Sequence, residues 1–211
     1  MMINTPAICI VDDDDDIRAS LRLLLEAADF LVRDYSSAAG FLDNDVFHAA
    51  CVIADFAMPE MDGLALQREV ARRRNDLPVV ILSGHGEVEH AVKAMKAGAV
   101  DFLEKPVQVD ALLGSVRRAI AIGEEIRARS AEVRNARRLL DLLTPREQHV
   151  LDELVAGQSN KAAAQKLGIS PRTVEVYRAQ ITTKLKAKSL SDLVRITLAA
   201  HRPSRAADAV N

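Results

Sequence analysis

Four short apolar runs in the first half of the chain each finish on residues able to do chemistry, and this pattern constrains the fold more than any other feature. Ile8–Val11 runs into Asp12 and Asp13, Cys51–Ala54 into Asp55, and Pro78–Leu82 into Ser83, while Phe102–Lys105 closes on its own lysine before Pro106. A fifth run, Leu31–Tyr35, has the same strand-like length. Between these runs lie segments with helical spacing: Ile17–Ala28, a short stretch around Phe41 and Leu42, Leu64–Ala71, Val88–Ala97 stopped by Gly98, and Ala111–Ile122. Apolar residues three and four apart share one helix face. Strands alternating with helices predict a mostly parallel sheet. Strands that are apolar throughout agree with burial on both faces. The expected class is α/β, a five-stranded parallel sheet with helices on both sides.

The second half carries no strand pattern. Helical spacing runs through Pro145–Ala156, Asn160–Leu167, Pro171–Lys186 and Ser191–Ala200, with Gly157 and Gly168 at the breaks. Thr144 and Ser170 precede prolines, which predicts an N-cap followed by proline at the first helical position. Thr144-Pro-Arg-Glu147 also fits a capping box. Asn160–Leu167, the turn Gly168-Ile-Ser170 and Pro171–Lys184 have the layout of a helix-turn-helix, whose second helix enters the major groove of DNA. Leu167, Ile169, Val174 and Ile181 are expected to face inward. Arg172, Thr173, Glu175, Val176, Arg178 and Ala179 are expected to face outward. Lys184, Lys186 and Lys188 are placed either to meet phosphates or to serve as a solvated helix end. Glu175 either accepts from cytosine N4 or pairs with Arg172 or Arg178.

Charge divides the chain in the same place. Residues 1–122 hold 12 Lys and Arg against 20 Asp and Glu, residues 123–140 hold five against three, and residues 141–211 hold 11 against seven. An acidic first half joined to a basic second half suggests that only the second meets a polyanion. No apolar run reaches the roughly 18 residues needed to cross a bilayer, and the N-terminus lacks a signal-peptide layout. A cytoplasmic protein with no membrane partner is expected. Cys9 and Cys51 lie within apolar stretches, where a thiol behaves as a small hydrophobe rather than a redox sensor. Gly123–Arg138 reads as helix. Ile122, Ile126, Val133, Ala136, Leu140 and Leu143 form a seam, broken at Arg129, that fits either a short coiled coil or an amphipathic helix packed on its own domain.

Ligands of such sheets gather at the carboxyl ends of the strands. There, Asp12, Asp13, Asp55, Ser83 and Lys105 converge. Clustered carboxylates repel one another and need a cation. Mg²⁺, a hard ion that takes oxygen ligands and keeps waters, suits a site that also accepts a phosphoryl group. Asp55 can attack phosphorus, with Ser83 and Lys105 holding the phosphoryl oxygens. Asp14–Asp16 are expected only to favour a helix N-terminus.

Ile10-Val-Asp-Asp13, Ala54-Asp-Phe-Ala-Met-Pro-Glu-Met-Asp-Gly63, Leu82-Ser-Gly-His-Gly86 and Ala97-Gly-Ala-Val-Asp-Phe-Leu-Glu-Lys-Pro106 together resemble the flavodoxin-like receiver domain of two-component response regulators. The last two are closest to the FixJ group. Leu143-Thr-Pro-Arg-Glu147, Leu167-Gly-Ile-Ser-Pro-Arg-Thr-Val-Glu-Val-Tyr-Arg178 and Lys184-Leu-Lys-Ala-Lys-Ser189 resemble the LuxR/FixJ-type DNA-binding domain. The implied organisation is a receiver over 1–121, a helical linker over 122–140, a helix-turn-helix domain over 141–202 and a flexible tail over 203–211.

The resemblance implies that Asp55 is the phosphoacceptor. It makes Asp12, Asp13, Asp55 and the Ala57 backbone carbonyl the Mg²⁺ ligands, Ser83 the switch hydroxyl, and Lys105 the phosphoryl-binding lysine with a cis bond to Pro106. Phe102 matches the switch aromatic, with a plain core phenylalanine as the competing reading. Asn160, Lys161, Arg172, Thr173, Glu175, Val176, Tyr177, Arg178, Lys184, Lys186 and Lys188 are the implied DNA contacts. Tyr177 stands where relatives usually carry His. The implied function is phosphoryl transfer from a sensor histidine kinase, then dimerisation or relief of inhibition. Sequence-specific binding to promoter DNA and transcription regulation follow, with activation and contact to RNA polymerase expected. No enzymatic activity is expected beyond Mg²⁺-dependent self-phosphorylation and self-dephosphorylation. Two rivals stand beside this reading: an aspartate-nucleophile phosphatase acting through Asp12, and a constitutive DNA-binding protein whose first domain only dimerises.

Overall fold

The computed structural model describes residues 7–44, 48–84 and 88–202. His85, Gly86 and the tail 203–211, both named above, lie outside the described residues. The chain divides into two compact units, residues 1–127 and 128–211.

The first unit is a five-stranded parallel sheet in the order β2-β1-β3-β4-β5. Its strands are β1 (Ala7–Val11), β2 (Val32–Tyr35), β3 (Ala49–Asp55), β4 (Val79–Ser83) and β5 (Asp101–Glu104). The helices between them are α1 (Asp15–Glu26), α2 (Ala38–Asn44), α3 (Gly63–Arg73) and α4 (Val88–Lys96), and α5 (Val109–Leu140) follows β5. Apart from α5, which runs 18 residues past the expected Ile122 to Leu140, each element falls within a few residues of its sequence expectation. Side chains of β1 alternate between two cores, as strand geometry requires. Cys9 and Val11 pack with Phe41, Leu66, Val70 and Ile81 on one face. Ile8 and Ile10 pack with Leu21, Leu25, Leu112 and Val116 on the other. Burying a side chain of this size contributes roughly 1.5–3 kcal/mol, so the two cores hold the sheet rigid beneath its rim. Both cysteines are buried thiols and form no disulfide with each other. Burial pushes the Cys51 thiol far up, consistent with an inert core residue.

Asp14 caps α1, its carboxylate accepting from the backbone N–H of Asp16 and Ile17. Asp15 and Asp16 occupy the first turn, where the helix dipole favours acids. That is the role expected for this part of the acidic run.

The second unit contains the end of α5 together with α6 (Pro145–Val155), α7 (Asn160–Leu167), α8 (Pro171–Lys184) and α9 (Leu190–His201). The expected caps are present. Thr144 and Glu147 form the complete capping box, Ser170 caps α8 with Pro171 behind it, and Gly168 ends α7 in the left-handed conformation (φ 66°). Val150, Leu154, Ala163, Val174, Ile181, Leu185 and Leu193 form the core. Leu167 and Ile169 pack against it, partly buried.

Where the sequence suggests a separate linker over 122–140, the structure has the second half of α5, a single helix of 32 residues. The units divide between Arg127 and Ala128. The seam divides as well. Val133, Ala136 and Leu143 are buried in the second unit and Leu140 packs beside them, whereas Ile122 is exposed. The C-terminal part of the seam is thus the amphipathic face of a helix on its own domain. Among the described residues no helix is long and apolar enough to cross a membrane.

Candidate functional site

The strand ends bring the chemistry to one rim. Asp12 follows β1, Asp55 ends β3, Ser83 ends β4 and Lys105 follows β5. The sheet order reverses direction between β1 and β3, the place where ligands of open parallel sheets bind. Asp12, Asp55 and Ser83 are buried and Asp13 is exposed. The Lys105 ammonium lies 2.7 Å from Asp12 Oδ2 and 2.5 Å from Asp55 Oδ1. The remaining carboxylate oxygens accept backbone bonds, Asp12 Oδ1 from Asp14 N at 2.9 Å and Asp55 Oδ2 from Ala57 N at 2.9 Å. Lys105 N donates to the Ser83 carbonyl at 2.8 Å, fixing the lysine to the end of β4. The Lys105–Pro106 bond is cis.

Burial is the largest influence on Asp55 and holds its carboxyl above the usual carboxylate range, although Lys105 pulls it the other way. Burial also opposes charge on Lys105. There its bonds to Asp12 and Asp55 outweigh burial and hold the ammonium above the usual lysine range. The two directions do not conflict. One ammonium is shared between two carboxylates, so it gains from both, while at Asp55 burial outweighs its share of that charge.

Asp12, Asp13 and Asp55 each offer an oxygen within 4.8 Å of the others. This donor set fits a hard divalent cation. It is all oxygen, and three carboxylates against one ammonium leave two negative charges to balance. Ala57 is exposed in the loop after β3, next to this group.

Phe102 pairs with Ile81 in the sheet and is half-buried against the core. Several contacts at the rim escape sequence reasoning. Arg18 donates to the Asp12 carbonyl at 2.7 Å. The first residue of α3, Gly63, is pressed so closely on the strand end that an added Cβ would sit 2.4 Å from the Asp55 carbonyl oxygen. Phe56 stacks on His90. Only the glycine had a sequence signal, its place in the Met-Asp-Gly segment.

In the helical unit, α7, the turn and α8 are as expected. Lys161, Arg172, Glu175, Val176 and Arg178 are exposed, and Asn160 and Thr173 are half-buried. The Thr173 hydroxyl bonds the Ser170 hydroxyl at 2.8 Å. Glu175 pairs with Arg172 at 3.8 Å, which favours the intramolecular alternative for this acid. Tyr177 packs its ring against the core. Lys184 departs from expectation. Its ammonium lies 2.7 Å from Oε2 of Glu147, a buried side chain, and holds that carboxyl below the usual range together with the Thr144 backbone N–H. It is therefore a tie between α8 and α6 rather than a free phosphate ligand. Lys186 and Lys188 are exposed.

A parallel sheet with an acidic rim, followed by a capped helix-turn-helix, defines a phosphoacceptor-type regulator of DNA binding. Two family profiles agree: "Response regulator receiver domain" matches residues 8–117, and "Bacterial regulatory proteins, luxR family" matches 141–197. The chain belongs to the response regulators that carry a LuxR-type DNA-binding domain. It is similar to the transcriptional regulatory protein FixJ of Azorhizobium caulinodans, at 45% identity over 193 residues covering 90% of this chain and 91% of that protein. FixJ of Bradyrhizobium diazoefficiens is 42% identical, covering 92% and 95%. Among solved structures, the response regulator StyR aligns with a TM-score of 0.82 at 36% identity, covering 92% of this chain and 98% of that one. Full-length FixJ from B. japonicum aligns with a TM-score of 0.57 at 42% identity, covering 92% and 97%. A receiver domain implies a histidine kinase partner, and a LuxR-type domain implies DNA binding.

Proposed function

We propose that Asp55 accepts a phosphoryl group from a sensor histidine kinase and thereby controls transcription through the helix-turn-helix. The observation that carries this reading is the Lys105 ammonium held between Asp12 and Asp55 at the sheet rim. An Asp55 oxygen attacks phosphorus, the new O–P bond forms, and the bond to the donor nitrogen breaks. Lys105 and the Ser83 hydroxyl then hold the phosphoryl oxygens. Asp12, Asp13, Asp55 and the Ala57 carbonyl would hold Mg²⁺, which supplies charge neutralisation for the transferring group. The chain turns over no external substrate. Its chemistry is confined to gaining and losing the phosphoryl group.

The added charge draws Ser83 inward, Phe102 follows, and the α4–β5 surface changes shape, a packing switch biased by local charge. The consequence is a homodimer. Two linked DNA-binding units gain effective concentration that one small unit lacks, and the dimer activates promoters with RNA polymerase in the cytoplasm. Incubation with acetyl phosphate and Mg²⁺ should add one phosphoryl group to the intact mass and tighten a promoter gel shift. Asp55→Asn should abolish both responses. A variant that still answers acetyl phosphate as strongly as the wild type would sink this reading.

On DNA, Arg172 and Arg178 are the exposed candidates for base edges, and Lys161, Lys186 and Lys188 for phosphates. Lys186→Ala should weaken binding about equally on all sequences and reduce the slope of log affinity against log salt by about 0.9. Lys184→Ala should instead lower the stability of the helical unit. Titrations at several salt concentrations, beside thermal melts, separate the two lysines.

A further inference from the structure

Phe56 directly follows Asp55, and its ring stacks on the imidazole of His90 in the first turn of α4, with centroids 4.2 Å apart and planes at 26°. The Phe56 backbone is fixed on both sides. Its N–H donates to the Leu82 carbonyl at 2.7 Å, and its carbonyl accepts from Gly63 N at 3.0 Å. The ring is therefore presented by the same frame that holds Asp55. One turn further along α4, the buried Gln67 of α3 donates to the Ala94 carbonyl at 3.5 Å, a weak second tie on the same side. The outer face of α4 carries Val88, Val92 and Met95, all exposed.

Through the stack, α4 is connected across space from His90 to Phe56 and so to Asp55 at the acidic rim. Both Asp55 oxygens are engaged, by Lys105 and by Ala57 N. An acyl phosphate must take one of them, so this arrangement belongs to the free carboxylate. The stack is present in this same arrangement, and any shift of α4 against the end of β3 would disturb the two rings.

We propose that the His90–Phe56 stack is a positioning contact for phosphoryl acceptance, tying α4 to the residue beside Asp55 in the carboxylate state and setting the threshold for its movement. This rests on the reading of Asp55 as phosphoacceptor. His90 acts through Phe56 and α4 and touches no reacting atom. A stacked aromatic pair biases such an equilibrium on the order of threefold to tenfold.

The test uses the full chain with acetyl phosphate and Mg²⁺, reading the rate of mass gain and the hydrogen exchange of α4 amides. His90→Ala and His90→Leu should accept the phosphoryl group about three to ten times faster than wild type and exchange faster in α4. His90→Phe, which keeps a stacking ring, should restore both readouts. Equal rates in wild type and His90→Ala would overturn the proposal. So would a His90→Leu variant that behaves as His90→Phe does, because bulk rather than stacking would then be at work. Absence of mass gain in every protein, wild type included, would instead overturn the reading of Asp55 itself. Exchange in α4 would then still show whether the stack holds the helix.

Discussion

Gly63→Ala is expected to destabilise the N-terminal unit by about 3 kcal/mol, the upper part of the range for overpacking, and to slow phosphoryl acceptance at Asp55. The new Cβ would lie 2.4 Å from the Asp55 carbonyl oxygen and 3.1 Å from Phe56 Cα. Both obstacles are backbone, so no side-chain rotation relieves them. Either α3 lifts from the sheet or the end of β3 bends. α3 resists because Asp62 caps it and Gly63 N bonds the Phe56 carbonyl at 3.0 Å. Bending β3 moves the carboxylate away from Lys105. Gly114→Ala is the matched control. It lies within α5, its Cβ meets only Arg118 Nη1 at an ordinary 3.5 Å, and alanine is the better helix former by about 0.5–1 kcal/mol. Urea unfolding of the two variants should therefore shift in opposite directions. Equal shifts would mean that the close approach at Gly63 is not what requires glycine.

The acidic rim is readable in the sequence because the apolar runs of β1, β3 and β4 give way at their carboxyl ends to Asp12, Asp55 and Ser83, and Lys105 directly follows β5. The convergence of Asp12, Asp55, Ser83 and Lys105 follows from parallel strands sharing one carboxyl edge. The helical unit is readable from its caps, since Thr144, Ser170 and Gly168 act within a few residues of themselves. What escapes is long-range. Lys184 lies at a helix end, where a phosphate ligand and a structural lysine look alike. Its partner Glu147 is 37 residues earlier, and local spacing already explains that acid as part of the capping box. Phe56 and His90 carry no mutual signal across 34 positions. The true length of α5 is hidden by Gly123, which normally marks a helix end. In the fold this glycine serves a close approach instead, because a Cβ there would meet Pro78 Cδ at 3.0 Å and the Asp76 carbonyl at 3.1 Å. Beside it, Arg127 reaches the Asp76 carboxylate at 3.5 Å. Burial is the largest influence on that acid, but its bonds with Arg74 and Arg127 prevail and hold it below the usual range. The helix therefore continues through a position that local propensity would assign to its end.

Lys105→Met is expected to lower the stability of the N-terminal unit by about 3 kcal/mol at neutral pH, because removing one partner of a buried ionic cluster leaves the others uncompensated. Asp12 and Asp55 are both buried, and the ammonium lies within 2.7 Å of each. The sign of the pH dependence follows from Asp55. Its folded pKa is already raised by burial, and Lys105 is the group pulling it down, so the variant raises it further. A carboxyl whose folded pKa exceeds its unfolded value contributes stability fully below the unfolded pKa, and that contribution is lost as pH rises through the folded one. The deficit of Lys105→Met should thus be full at neutral pH and shrink as pH falls toward the ordinary carboxylate range. Millimolar Mg²⁺ should shrink it at neutral pH as well, since a dication among Asp12, Asp13 and Asp55 replaces the missing charge and stabilises the folded state it binds. On the proposed reading, in which Lys105 holds phosphoryl oxygens that the ion does not reach, phosphoryl acceptance should stay impaired with Mg²⁺ present. Urea titrations of wild type and variant at two pH values, with and without Mg²⁺, measure all four corners. A deficit that ignores both acid and the ion would show that charge balance among Asp12, Asp55 and Lys105 is not what the lysine contributes to the fold.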